Sequence, residues 1–372
     1  MKKTVLALAL GTAMIAPAAH ANNASAQTIV QNYANLVYTD YGHAYQDALT
    51  LQSAINTFLD NPTDKTLNAA KQAWLASRNA YGQTEAFRFY EGPIDYVDEN
   101  GHEGPESRLN AWPIDESYID YVKGNPKSGI VNNPNVKITK ASLTDENQAD
   151  DEAQVSTGYH AIEFLLWGQD LNPDGPGNRP ATDYAKTPKN ERRRAYLKTV
   201  TSLLVDDLKF LVDQWTPGQD NYARTFVKDK DALAKILTGL ATLSGFELAA
   251  ERMGTALDSG DQEDEQSCFS DNTHNDFIEN AQGIFNVFFA SGLYEYIKAK
   301  DDDLAEELED QLKDTQKLVA AIPHPIDRDV LASPQGSPAR AKMEAAIASL
   351  QKQADLFKEA GKALGLNVQI VQ

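Results

Sequence analysis

The sequence predicts an all-α protein made of two antiparallel helical bundles. Three observations carry that prediction. Apolar residues recur at steps of three and four through most of the chain. Alternating runs of the strand type are nearly absent. Clusters of Pro, Gly, Asn and Asp cut the periodic stretches into pieces of helix length.

Ahead of the first helix, residues 1–21 have the form of a secretory signal peptide. Lys2 and Lys3 supply the charge, Thr4 to Ala18 the apolar run and Ala19-His20-Ala21 the small-residue cleavage site. The mature chain should start near Asn22. The apolar run is too short to span a bilayer, and no later stretch reads as long enough. An exported protein is expected, in a bacterial periplasm or associated with the outer membrane.

The first helix is expected over Gln27 to Leu59, with Ile29, Tyr33, Leu36, Val37, Tyr41 and Ala44 on its apolar face. Asn61-Pro62-Thr63-Asp64 ends it and can cap the next helix, Lys65 to Tyr90. That helix carries Trp74, Arg78, Tyr81, Glu85 and Arg88 as one polar-aromatic stripe. Such a stripe is either a solvated face with a Glu85–Arg88 pair or the wall of an internal cavity. From Glu91 to Gln154 runs a segment rich in Gly, Pro, Asn and Asp, far longer than an ordinary connection. Ile94, Leu109, Trp112, Ile114 and Ile119 give it apolar anchors, so it is expected to fold over one end of the first bundle.

The next helix organises the chain. Gly158-Tyr159-His160-Ala161-Ile162-Glu163-Phe164-Leu165-Leu166-Trp167-Gly168 places a histidine and a carboxylate three residues apart in an apolar run. His160 and Glu163 can converge on one point, and helical steps add Ser156 and Trp167 to their face. Helical bundles build metal sites from such inward pairs. The plainer alternative is a buried histidine bonded to its helix neighbour. A turn-rich loop from Asp170 to Asn190 and a helix from Lys189 to Trp215 follow. Thr216-Pro217-Gly218 then marks a soft boundary between a first bundle, 22–217 with its insertion at 91–154, and a second, 218–372.

The second half opens with a helix over Asp229 to Leu257, on which Ser244, Glu247 and Glu251 share a face. These carboxylates echo Glu85 and suggest an internal duplication. Asp258 to His274 surrounds Cys268 with acids but lacks the spacing of a calcium loop. It reads as a solvated loop, with cation binding as the alternative. Helices over Asn275 to Ile297, Asp301 to Ala321 and Pro338 to Leu364 complete the chain.

The formal net charge of -20 disfavours nucleic acid and anionic membrane surfaces. It favours cationic ligands, or serves solubility alone. With Cys268 the only cysteine, an intramolecular disulfide is excluded.

The motif formed by Gly158, His160 and Glu163 resembles the Gly-x-His-x-x-Glu signature of the imelysin-like family. The similarity extends through Phe164 to Gly168 and the Arg179-Pro180 loop. Glu251-Arg252-Met253 and Ser267 to His274 resemble the iron-regulated branch of that family. The resemblance implies two four-helix bundles related by pseudo-symmetry, a site near their interface and an exported role in iron uptake or binding. The family also includes an insulin-cleaving metallopeptidase.

The residues themselves weigh against zinc proteolysis. A thermolysin-type site needs two histidines four apart, and the inverted H-x-x-E-H form needs one directly after the glutamate. Phe164 stands there. One histidine among carboxylates suits iron better than zinc. The expected ligands are His160 and Glu163, completed by Glu85 and Glu247, with Arg78 or Arg88 balancing charge. An inner- or outer-membrane iron-transport component would be the partner. A metallopeptidase, or a purely structural surface protein, are the competing readings.

Overall fold

Each predicted helix has a counterpart in the computed structural model, which describes residues 25–99, 101–172 and 174–371. The signal-peptide segment and Pro173 of the turn-rich loop lie outside the described residues. The structure is 68 % helical. Among the described residues β structure amounts to two isolated bridges, Val97 to Glu103 and Val122 to Asn125.

Eight longer helices position the site. Helix α1 spans Ala26–Asp60, with the Ser25 side chain accepting from the Thr28 amide, and α2 spans Asp64–Thr84 behind a capping box of Thr63 and Thr66. Helix α3 is Gly158–Trp167 and α4 is Glu191–Trp215. The second half contributes α5 (Ala232–Ser259), α6 (Thr273–Ala290), α7 (Asp302–Ala320) and α8 (Pro338–Ala363). Helix α1 lies along α2 and α4, while α3 packs on α4 and α2; α8 lies along α5 and α7. Helix α6 reaches both sets, packing on α2 and α7. The approach of α6 to α2 is close: a Cβ on Gly283 would stand 2.3 Å from the Gln83 carbonyl oxygen. The buried apolar residues form one continuous core from Ile29 to Ala360.

Three expectations change, and one open alternative is decided. Helix α2 stops at Thr84, and Glu85–Phe87 forms a 3-10 turn before the chain turns away. The polar-aromatic stripe is not solvated: Trp74, Arg78, Tyr81, Glu85 and Arg88 are all buried. By length and composition α5 could cross a bilayer, contrary to the sequence reading, but 67 % of its apolar window is buried, so it serves as a core helix. The acidic loop before α6 is likewise internal over Glu265, Gln266, Ser267 and Cys268. Burial pushes the Cys268 thiol far above its ordinary pKa, with Glu263 and Glu163 adding to the effect.

The middle of α5, Leu243–Gly254, is wound as a π-helix. Each π turn holds more residues than an α turn, so side chains five apart come together. The insertion folds into short helices at Glu106–Asn110, Glu116–Ile119, Gly129–Asn132 and Lys140–Glu146. Asp120 pins it to the body by bonds from Arg179 at 2.7 Å and Arg193 at 3.0 Å. The Arg179 guanidinium lies over the Tyr121 and Phe164 rings.

Gly158 opens α3 at φ +82°, and a Cβ there would stand 2.6 Å from the Leu109 carbonyl oxygen. Only glycine fits between the insertion and the helix start. Gly158→Ala is expected to cost about 2–3 kcal/mol in urea unfolding, whereas Gly218→Ala, also at positive φ but in open space, should cost less.

Candidate functional site

Every residue of α3 is buried, so His160 and Glu163 can draw partners only from inside the protein. His160 Nδ1 and Glu163 Oε2 lie 2.9 Å apart. The other carboxylate oxygen of Glu163 accepts from the Ser270 amide at 2.9 Å and the Ser270 hydroxyl at 2.7 Å. Nε2 of His160 is buried with no hydrogen-bond partner. Its ring stands edge-on to Trp74 with centroids 6.5 Å apart. Burial dominates the electrostatics. It pushes the Glu163 carboxyl up to about 8 and, with Arg78 and Arg252 nearby, pushes His160 well below its ordinary value. Near neutral pH the pair is therefore uncharged, a protonated Glu163 carboxyl beside a neutral His160 imidazole.

A second cluster adjoins this pair, built from α2, α5, α6 and the insertion. Glu85 Oε2 accepts from Arg88 and from Arg252, each at 2.6 Å. Arg252 also bonds Glu247 Oε1 at 2.7 Å, and Arg88 reaches Glu106 at 3.1 Å. Burial would raise the Glu85 carboxyl, but Arg88 and Arg252 more than offset it and hold the group at about 2. Arg78 joins the clusters: it donates to Asp276 at 3.0 Å and to Asn110 at 2.6 Å, and its guanidinium lies over Tyr159.

The structure thus brings His160 to Glu163, and separately brings Glu85 to Glu247 through Arg252. The four do not meet as one ligand set. Among the described residues, Asp170, Asp271 and Asp327 are the only His, Cys, Asp or Glu group of three whose ligand atoms all lie within 4.8 Å of one another. Glu85 and Glu247 have their charge matched by arginines rather than left for a cation. Arg88 pairs with Glu85 and Glu106, and Arg78 with Asp276. Ser156 leaves the expected face because α3 begins only at Gly158; its hydroxyl bonds the Leu143 carbonyl at 2.6 Å. Trp167 closes the helix against Trp74, with Lys71 over its ring. Of the other histidines, His102 pairs with Asp98, and His274 bonds the Val319 carbonyl and stacks on His324.

Sequence reasoning missed four participants: Arg252, Asn110, Ser270 and Asp276. Arg252 sits five residues from Glu247, a spacing that joins only in a π turn. Ser270 lies 107 positions from Glu163, and no local pattern reports that contact. Beside the second cluster opens a cleft of about 450 Å³ lined by Arg88, Glu106, Trp112, Glu247, Glu251 and Glu152, among others.

The imelysin family profile (peptidase family M75) matches residues 37–357. Iron-regulated protein A of Synechococcus elongatus is 26 % identical over 344 residues, covering 87 % of this chain and 83 % of that protein. A crystal structure described as an iron-regulated protein A precursor from Parabacteroides distasonis shares the fold with a TM-score of 0.70. It is 18 % identical and covers 92 % of this chain and 98 % of its own. An imelysin-like protein from Psychrobacter arcticum gives a TM-score of 0.65 at 16 % identity, covering 92 % and 96 %.

Proposed function

This chain belongs to the imelysin family, and we propose that it is an exported protein that binds iron and takes part in iron uptake. The observation that carries this reading is the His160 imidazole. Its Nδ1 is held by a carboxylate while its Nε2 is buried without a partner. A buried polar atom left unsatisfied is costly, and a histidine oriented by a carboxylate through one nitrogen is how proteins present the other to a metal. The imidazole fits iron as one ligand. Glu163 orients that ligand, since both of its oxygens already have partners. Glu251 and Glu152, further acids on the cleft wall, draw cations toward the junction of the halves. Similarity to iron-regulated protein A supports iron over zinc as cargo. The apolar leader with its small-residue cleavage site supports export, and a membrane iron-transport component would then be the partner.

Titration of the mature protein with iron(II) under anaerobic conditions tests the reading. Wild type should bind, and His160→Ala should lose binding while its helical circular dichroism spectrum stays unchanged. Equal binding by the variant overturns it. A peptidase reading has weaker support, because the residue after Glu163 is core: Phe164 packs on Phe269 with ring centroids 5.2 Å apart. Insulin B chain is therefore expected to survive incubation with the purified protein, with or without chelator. Cleavage that stops in Glu163→Gln would establish the peptidase instead.

A further inference from the structure

We propose that Asp170, Asp271 and Asp327 form a second site, for a hard divalent cation of the calcium class, that clamps the two halves of the chain together. The three come from separate segments. Asp170 follows α3, Asp271 ends the short turn Cys268–Ser270, and Asp327 opens the π turn Asp327–Leu331 after α7. Their ligand oxygens all lie within 4.8 Å of one another. Calcium with oxygen bonds of about 2.3–2.6 Å spans that spacing.

Charge balance separates this cluster from the arginine-rich one. There Glu85 faces Arg88 and Arg252, and Asp276 faces Arg78. Here the basic group acting on Asp271 is Arg328, which is exposed and already engaged with Asp329 at 2.7 Å. A fourth carboxylate adds to the deficit. Glu265 is 3 % exposed, its Oε1 has no partner, and the charges acting on it are those of Asp327, Asp271 and Asp170. Oδ1 of Asp327 is likewise buried and unpartnered. Four gathered acids, two of them with an orphaned buried oxygen, are costly in a folded interior unless a cation joins them. An all-oxygen set selects a hard ion, and the flexible spacing favours calcium over magnesium, which demands shorter bonds and keeps its water.

The site is distinct from the His160 pair yet connected to it. Asp271 follows Ser270, whose amide and hydroxyl hold Glu163. A bound cation would fix the turn that positions Ser270.

The test uses the mature protein stripped with chelator, titrated with calcium, magnesium and manganese chlorides, with sodium chloride at matched ionic strength as control. Calorimetric stoichiometry and thermal melting are read together. One calcium per chain should bind and raise the melting temperature by several degrees. Asp271→Asn and Asp327→Asn should weaken calcium about tenfold or more and lose the shift. Without cation, both variants should melt no lower than wild type, because a like charge has gone. Glu265→Gln gives the same readout should an aspartate variant fail to fold. His160→Ala should keep the calcium response, which separates this site from the iron reading. The proposal is overturned if calcium does no more than sodium, if magnesium matches calcium, or if the shift persists in Asp271→Asn and Asp327→Asn.

Discussion

Replacing Arg252 with leucine is expected to destabilise the protein by about 3–5 kcal/mol at pH 7, the cost of leaving a buried ion pair without one partner. Arg252 is buried and donates to Glu85, Glu247 and Asn280. Leucine would fill much of the volume but leave these acceptors unmet. The sign of the pH dependence follows from Glu85, whose carboxyl is held at about 2 in the fold against 4.5 ordinarily. A depressed acid contributes stability that is fully present above its unfolded value and lost as pH falls through the folded one. The Arg252→Leu defect should therefore be largest above about pH 4.5 and shrink in acid. Urea unfolding at pH 7 and pH 4 reads the difference. Adding Glu85→Gln to Arg252→Leu should recover part of the loss, because the stranded charge is removed. A defect under about 1 kcal/mol at pH 7 would mean that solvent already screens the cluster.

How much of this was legible in the sequence depends on the range of the interaction. Helix positions follow from local periodicity, and α1 ends within a residue or two of its predicted bounds. The His160–Glu163 contact was legible too, since it spans one turn of one helix. Glu85 and Arg88 were legible as a pair, but not the site they occupy. A stripe alternating charge with aromatic rings has the same pattern whether it meets water or arginines from another helix. What decided its burial was α6 packing across it, with Asp276 and Asn280 supplying acceptors. The π winding of α5 was hidden for a related reason. Counting at 3.6 residues per turn groups Glu247 with Glu251, whereas the structure groups Glu247 with Arg252. The acidic loop misled through composition, because the acids of Asp170, Asp271 and Asp327 gather only once three distant segments have folded.

Iron binding at His160 is expected to tighten about tenfold for each pH unit up to about pH 8, as a one-proton linkage requires. Burial, helped by Asp276 and opposed by the Ser270 hydrogen bonds and by Arg78, pushes the Glu163 carboxyl up to about 8. Burial also pushes His160 well below its ordinary value, so the ring stays neutral. Below pH 8 the proton therefore resides on Glu163, whose two Ser270 bonds occupy Oε1 and leave Oε2 to donate to His160 Nδ1. An imidazole that accepts at Nδ1 carries its own hydrogen at Nε2, where it cannot bind metal. Iron at Nε2 requires that hydrogen to move to Nδ1 and the Glu163 proton to leave. One proton should be released per iron bound, measurable by calorimetry in two buffers of different ionisation enthalpy. The same raised pKa makes the metal-free fold lose stability as pH rises from about 4.5 to about 8, since the folded state keeps a proton the unfolded chain has shed. Glu163→Gln sharpens the test. Ser270 would still fix the amide oxygen, turning the amide N–H toward Nδ1 and locking the hydrogen onto Nε2. Affinity should then fall about 10–100-fold at every pH, with the helical spectrum intact. An affinity independent of pH in wild type, or wild-type affinity in Glu163→Gln, would remove His160 Nε2 as the iron ligand.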